Sequence, residues 1–171
     1  MEAFTGTRPL AQPLDTASLE AWLAAHVGGF AGPLEIEQFK GGQSNPTYLL
    51  KTPGAQYVMR SKPGPVAKLL PSAHAIEREF QVMKALAGTD VPVPPMLALC
   101  DDEGVIGRAF YIMGFMAGRV LWDQSLPGLT PAERAAHYNE MNRVIAALHQ
   151  VDFKALGLAE YGKPGNYFER Q

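Results

Sequence analysis

Residues 39–62 read FKGGQSNPTYLLKTPGAQYVMRSK: a strand, a glycine turn, a second strand, a short Pro53-Gly54 turn and a third strand. The glycine turn, Gly41-Gly42-Gln43-Ser44-Asn45, is small and polar. Gly41 and Gly42 bend the backbone without a Cβ clash, and they let main-chain N–H groups approach a ligand closely, as glycine loops do around phosphates. Ser44 and Asn45 add side-chain donors at the tip. One strand later, Tyr57-Val58-Met59-Arg60 brings a cation within reach of such a loop. Strand alternation places Val58, Arg60 and Lys62 on one face. Two readings are open for this stretch: a phosphate-cradling loop, or a plain β-hairpin with a polar turn.

Working outward, residues 34–40 form the strand that enters the turn, and 47–52 and 56–62 the two that follow. Upstream, 1–14 carry two prolines and little periodicity and read as an arm. Residues 15–27 read as a helix with Asp15 at its N-cap and an apolar stripe of Leu19, Trp22, Leu23 and Val27. Gly28-Gly29 stops it. Downstream, 63–71 hold three prolines and a glycine and read as loop. Ser72 then caps a helix reaching Ala87, with Ile76, Phe80, Met83 and Ala87 at helical spacing. Val91-Pro92-Val93-Pro94-Pro95 is an extended connector, because each proline biases its predecessor away from helix. Residues 96–100 read as a short strand, 101–107 as an acidic turn, and 108–115 as a buried strand. The best helix start in the chain opens residues 129–150: Thr130 at the N-cap, Pro131 at the first helical position and Glu133 completing a capping box. Tyr138, Met141, Ile145 and Leu148 form its stripe, read as buried. Five mostly hairpin-connected strands with one inserted helix imply an α+β fold with an antiparallel sheet.

The inserted helix carries Glu77-Arg78-Glu79. At about 100° per residue, Arg78 points away from the apolar stripe into solvent, and Glu79 lies on its flank. A carboxylate at the edge of a buried face needs a partner, and Arg60 is the nearest reasonable one. The alternative is a solvated patch of three surface charges. His26, His74, His137 and His149 have no metal-ligand spacing. His149-Gln150-Val151-Asp152 reads as a helix terminus rather than a catalytic motif.

The chain has 171 residues, within the range of one domain. At 47% hydrophobic and 19% charged residues it has the composition of an ordinary globular protein with a sizeable core. A net charge of −2 without a basic run argues against a nucleic-acid partner. The single Cys100 excludes an internal disulfide and fits a reducing compartment. No apolar h-region opens the chain and no run is long enough to span a bilayer, so the expectation is a cytoplasmic protein with no membrane partner.

Five motifs in order carry a resemblance. GGQSNPTY, YVMR, IEREFQVMKAL, VPVPPMLALC and FYIMGFMAGRV resemble the aminoglycoside phosphotransferase family, a branch of the protein-kinase-like fold. PSAHAIEREF and the late GLAEYGKPGNYFERQ look most like the branch also found fused to acyl-CoA dehydrogenases. The resemblance covers residues 34–171 and implies a kinase-like N-terminal lobe over 34–116. Residues 1–33 would be a preceding arm and helix, and 117–171 the exit from the hinge and the start of a substrate lobe. Gly41, Gly42, Ser44 and Asn45 would cover the phosphates of ATP. Arg60 would hold the α- and β-phosphates and pair with Glu79, with Lys62 as the fallback cation. The Gly114 carbonyl and the Met116 N–H would bind the adenine edge. Val58, Met113 and either Leu49 or Leu50 would sandwich its ring.

Two departures matter. Arginine replaces the family's usual lysine at Arg60, which keeps the charge and adds a planar fork. The family's catalytic H-G-D-x-x-x-x-N motif and the acidic metal-binding segment after it are missing from these 171 residues. The expectation is therefore the nucleotide-gripping part of a protein roughly twice as long, transferring phosphate from ATP to a small-molecule hydroxyl, with Mg2+ ligands and catalytic residues beyond Gln171. Antibiotic, sugar alcohol, choline and hydroxyacyl acceptors are all compatible, and the dehydrogenase-fused branch tilts toward the last. The rival from another class is a non-catalytic nucleotide-binding or protein-interaction module.

Overall fold

The computed structural model describes residues 6–40, 45–64, 75–162 and 165. Its elements are β1 (Thr7–Arg8), α1 (Thr16–His26), β2 (Glu35–Phe39), β3 (Thr47–Lys51), β4 (Gln56–Ser61), α2 (Ile76–Leu86), β5 (Met96–Cys100), β6 (Phe110–Gly114) and α3 (Pro131–His149). The strands make one sheet in the order β1-β2-β3-β4-β6-β5, antiparallel throughout.

That sheet has one strand more than the sequence pattern predicts. The addition is β1, a two-residue piece of the arm that pairs Thr7 with Phe39 and Arg8 with Gln38. Two residues carry no readable period, yet they satisfy the edge of β2, whose backbone groups would otherwise face solvent. Glu37 ties this margin together by accepting from the Thr7 hydroxyl and from Lys51 Nζ, the latter at 2.5 Å.

Strand alternation divides the sheet into two faces with different covers. Tyr48, Leu50, Tyr57, Met59, Phe110, Ile112 and Cys100 face α1 and bury with its Leu19, Leu23 and Val27. Trp22 stands edge-on to Phe110, ring centroids 4.9 Å apart. The N-cap reading holds, since the Asp15 carboxylate accepts from Ser18 N at 3.0 Å. On the opposite face α2 covers only one end, with Ile76 and Phe80 packed against Ala109 and Tyr111. Among the described residues no helix covers the other end of that face.

Helix α2 begins at Ile76, with Ala75 at the N-cap position and no side-chain cap bond. The expected cap at Ser72 lies outside the described residues. β6 is shorter at both ends than the apolar run suggested. Helix α3 has the full capping box of Thr130 and Glu133, but its stripe departs from expectation. Tyr138, Met141, Ile145 and Leu148 are all about half exposed, and no α3 residue is buried. Helical spacing shows that a face is apolar; it does not supply the surface that buries it. Among the described residues no helix is long and apolar enough to cross a membrane.

Candidate functional site

The α2 face of the sheet is organised around Glu79. One helical turn into α2, its carboxylate accepts four hydrogen bonds from three side chains on three different segments. Arg60 Nε on β4 donates at 2.7 Å and its Nη2 at 3.5 Å. Asn45 Nδ2 donates at 3.0 Å, and the Tyr111 hydroxyl on β6 at 3.1 Å. Arg60 uses its remaining arm on the Thr47 hydroxyl at 3.2 Å. The fork is thus held at both sides, which fixes its direction better than a lone ion pair would.

Register explains why these groups meet. Thr47 lies opposite Arg60 across β3 and β4, and Arg60 lies opposite Tyr111 across β4 and β6. The three form one cross-strand row, and α2 lays Glu79 over it. Tyr111 is 1% exposed. Burial pushes its phenol well above the usual range, and the neighbouring Glu79 carboxylate adds to the rise. It therefore stays protonated and serves as a fixed donor to Glu79.

The sequence reading named Arg60 and Glu79 but missed Thr47 and Tyr111. A hydroxyl in a strand carries no local signal, although register with Arg60 singles both out. Lys62, the fallback cation, pairs with Glu77 rather than Glu79. Asn45 is 3% exposed and its amide donates to Glu79, which ties the end of the glycine turn to α2. Gly41, Gly42 and Ser44 lie outside the described residues.

One row further along, Leu49, Val58 and Met113 stand in register on the same face. Beside them opens a cleft of about 420 Å³, lined by Phe39, Val58, Pro94, Met113, Gly114, Phe115, Met116, Gly118 and Val120. Four of these, Val58, Met113, Gly114 and Met116, are residues the sequence singled out. Leu50 is excluded, because it is buried under α1 on the opposite face. Phe39 and Pro94 are walls that the sequence reading missed; Phe39 is the last residue of β2, with Lys40 between it and the glycine turn. At the cleft's end the Gly114 amide donates to the Pro95 carbonyl at 2.8 Å. A Cβ on Gly114 would come within 3.2 Å of Pro95 Cδ, so a side chain there would crowd the connector.

The remaining polar candidates are structural. Asp101, Asp102 and Glu103 sit in an exposed turn, where Asp102 accepts from Gly104 N at 2.8 Å. Asp152 follows the end of α3 and accepts from Lys154 N at 3.1 Å and Ala155 N at 3.0 Å, which makes it a turn former. Among the described residues no group of three or more His, Cys, Asp or Glu could hold a metal ion.

The chain as a whole is similar to known proteins. Residues 35–171 match the phosphotransferase enzyme family. The crystal structure of a "putative aminoglycoside phosphotransferase" from Ralstonia eutropha is 68% identical and superposes with a TM-score of 0.81 over 92% of this chain and 45% of that one. Acyl-CoA dehydrogenase family member 10 of Mus musculus is 48% identical over 170 residues, 96% of this chain but 16% of the relative. Acyl-CoA dehydrogenase family member 11 of Homo sapiens is 42% identical over 176 residues, 98% of this chain and 22% of the relative. The chain thus spans about a fifth of the length of these two relatives.

Proposed function

The chain belongs to the phosphotransferase enzyme family, and from that premise we propose that it carries the nucleotide-binding half of an ATP-dependent enzyme that phosphorylates a hydroxyl of a small molecule. The observation that carries this reading is the Arg60–Glu79 pair, 2.7 Å apart, on the same sheet face as an apolar cleft of about 420 Å³, a size suited to a small ligand. The groups fit the two ends of a nucleotide. Arg60, steadied by Glu79 and Thr47, offers charge and a planar fork to the α- and β-phosphates. Gly41, Gly42, Ser44 and Asn45 add donors for the same phosphates, as the family resemblance implies. Val58 and Met113 flank the adenine ring, while the Gly114 carbonyl and Met116 N–H meet its edge.

ATP supplies the phosphoryl group, and Mg2+ neutralises its oxygens. This chain's residues bind and orient: they hold the nucleotide so that the γ-phosphate faces the acceptor, and positioning of that kind provides much of the catalysis in phosphoryl transfer. Residues 34–116 form the nucleotide lobe, and 117–171 open the substrate lobe. No residue of this chain is assigned as catalytic. The kinship with acyl-CoA dehydrogenase family members supports a hydroxyacyl acceptor over an antibiotic.

Calorimetric titration of Mg·ATP into the 171-residue chain tests the reading. Saturable binding is expected, weakened at least tenfold by Arg60→Ala, with no ATP consumption in the presence of any acceptor. Absence of binding at millimolar nucleotide would refute it, and turnover by this chain alone would refute the division of labour. The rival reading, a non-catalytic module, predicts no phosphoryl transfer even from the longest natural form of the protein.

A further inference from the structure

Glu77, Arg78 and Glu79 are consecutive, yet each holds a different part of the chain. Glu77 pairs with Lys62 and Glu79 with Arg60, both on the sheet side of α2. Arg78 points away from the sheet and meets Tyr161, 83 residues later, through three contacts. Its Nη2 donates to the Tyr161 carbonyl at 2.6 Å. Its guanidinium carbon lies 4.0 Å from the centre of the Tyr161 ring. The Tyr161 hydroxyl returns a hydrogen bond to the Arg78 carbonyl at 3.3 Å.

The segment that delivers Tyr161 is itself built. Asp152 seeds consecutive turns after α3, with Leu156 N bonded to the Asp152 carbonyl and Leu158 N to that of Phe153. Leu158 is buried, and it lines a groove with Phe80 and Lys84 of α2. Tyr161 N then bonds to the Leu158 carbonyl at 3.0 Å. The segment after α3 is therefore fastened to the outer side of α2 while two ion pairs fasten its inner side.

We infer that Tyr161 is a positioning residue for the phosphate-binding cation: by clasping Arg78 it holds α2 against the sheet, so that Glu79 keeps Arg60 in place. The role of Arg60 toward phosphate rests on the function proposed above; the clasp does not. A helix held from both sides fixes its carboxylate over the Thr47–Arg60–Tyr111 row, and releasing the outer hold lets α2 rock away. Phe keeps the ring stacked on the guanidinium and gives up only the longer hydroxyl bond at 3.3 Å, whereas Ala keeps the main-chain carbonyl and loses the ring.

Two readouts separate the clasp from the nucleotide reading. The Nε–H of Arg60, resolved by 15N NMR, reports its bond to Glu79 as slow solvent exchange. Tyr161→Ala is expected to speed that exchange at least fivefold and to weaken Mg·ATP binding by a similar factor. Tyr161→Phe should restore both, because the ring and the carbonyl remain. Arg78→Ala should reproduce Tyr161→Ala, and the double variant should be no worse than either. Unchanged Arg60 exchange in Tyr161→Ala overturns the inference, whatever the nucleotide does. Accelerated exchange with unaltered Mg·ATP affinity also overturns it. If the wild-type chain binds no Mg·ATP, the functional reading fails, and the exchange measurement alone decides the clasp.

Discussion

Replacing Glu79 by alanine removes one acceptor from three donors that differ in what happens next. Arg60 is 29% exposed in its side chain and Glu79 35%. Water takes over much of that pair, leaving a contribution on the order of 1 kcal/mol. Asn45 loses one hydrogen bond, worth about 1 kcal/mol. Tyr111 is different: with its side chain 1% exposed, the hydroxyl is stranded where water does not reach, at about 1–3 kcal/mol. The expected destabilisation is about 3–5 kcal/mol, with the tyrosine as the contribution that sets its upper end. Urea titration followed by circular dichroism measures it. The same substitution in a Tyr111→Phe background should cost about 1–3 kcal/mol less, since no hydroxyl is left to strand. Equal costs in the two backgrounds, or a Glu79→Ala cost below about 1 kcal/mol, would refute the view that Glu79 satisfies the buried phenol.

The raised phenol of Tyr111 also sets an alkaline limit. The folded state keeps that proton at a pH where the unfolded chain has lost it, so the contribution is complete below about pH 10 and is lost as pH rises through the higher folded value; Tyr111→Phe should flatten that decline. Thr130→Ala should cost about 0.5–2 kcal/mol, read as fraying of α3 by hydrogen exchange. Its capping partner Glu133 is held below the usual carboxylate range by the Thr130 backbone amide and hydroxyl, so this cap persists above about pH 4.3 and is lost as pH falls through the lower folded value. The exposed stripe of Tyr138, Met141, Ile145 and Leu148 should bind a hydrophobic dye or self-associate in the isolated chain, and Met141→Lys with Ile145→Glu should abolish both; a monodisperse wild-type monomer that binds no dye would count against it.

Much of the fold was legible because period and punctuation agree. Alternation and the Pro53-Gly54 turn fix β3 and β4. Thr130-Pro131 and Glu133 fix the start of α3, and Leu19, Leu23 and Val27 identify the face of α1 that enters the core. β1 was not legible, since two residues express no period and pair only because an edge is present. The site divides in the same way. Arg60 and Glu79 stood out as charges beside apolar faces. Thr47 and Tyr111 did not, because what selects them is register with Arg60 across two strand pairs, a relation that exists only once the sheet is assembled. Asn45 stood out because it ends a glycine turn; its bond to a carboxylate 34 residues away was not legible in any local window.

The Glu77-Arg78-Glu79 triplet shows why a helical projection alone undersold this site. The projection gave the correct directions: Glu79 toward the sheet margin and Arg78 away from it. A direction does not say what stands at its end. For Glu77 and Glu79 the ends are Lys62 and Arg60 on or next to one strand, which a hairpin and a following helix bring close by chain connectivity. For Arg78 the end is Tyr161, supplied by a turn segment beyond a 19-residue helix. Its charge therefore reads as solvated in any local window and as a structural contact only in the whole chain. Consequently the aim of Arg60 is not a property of its own strand. It depends on α2, and α2 is gripped from one side by the sheet and from the other by the segment that follows α3. The orientation of the cation thus depends on residues on both sides of the cleft's connecting stretch, 115–130.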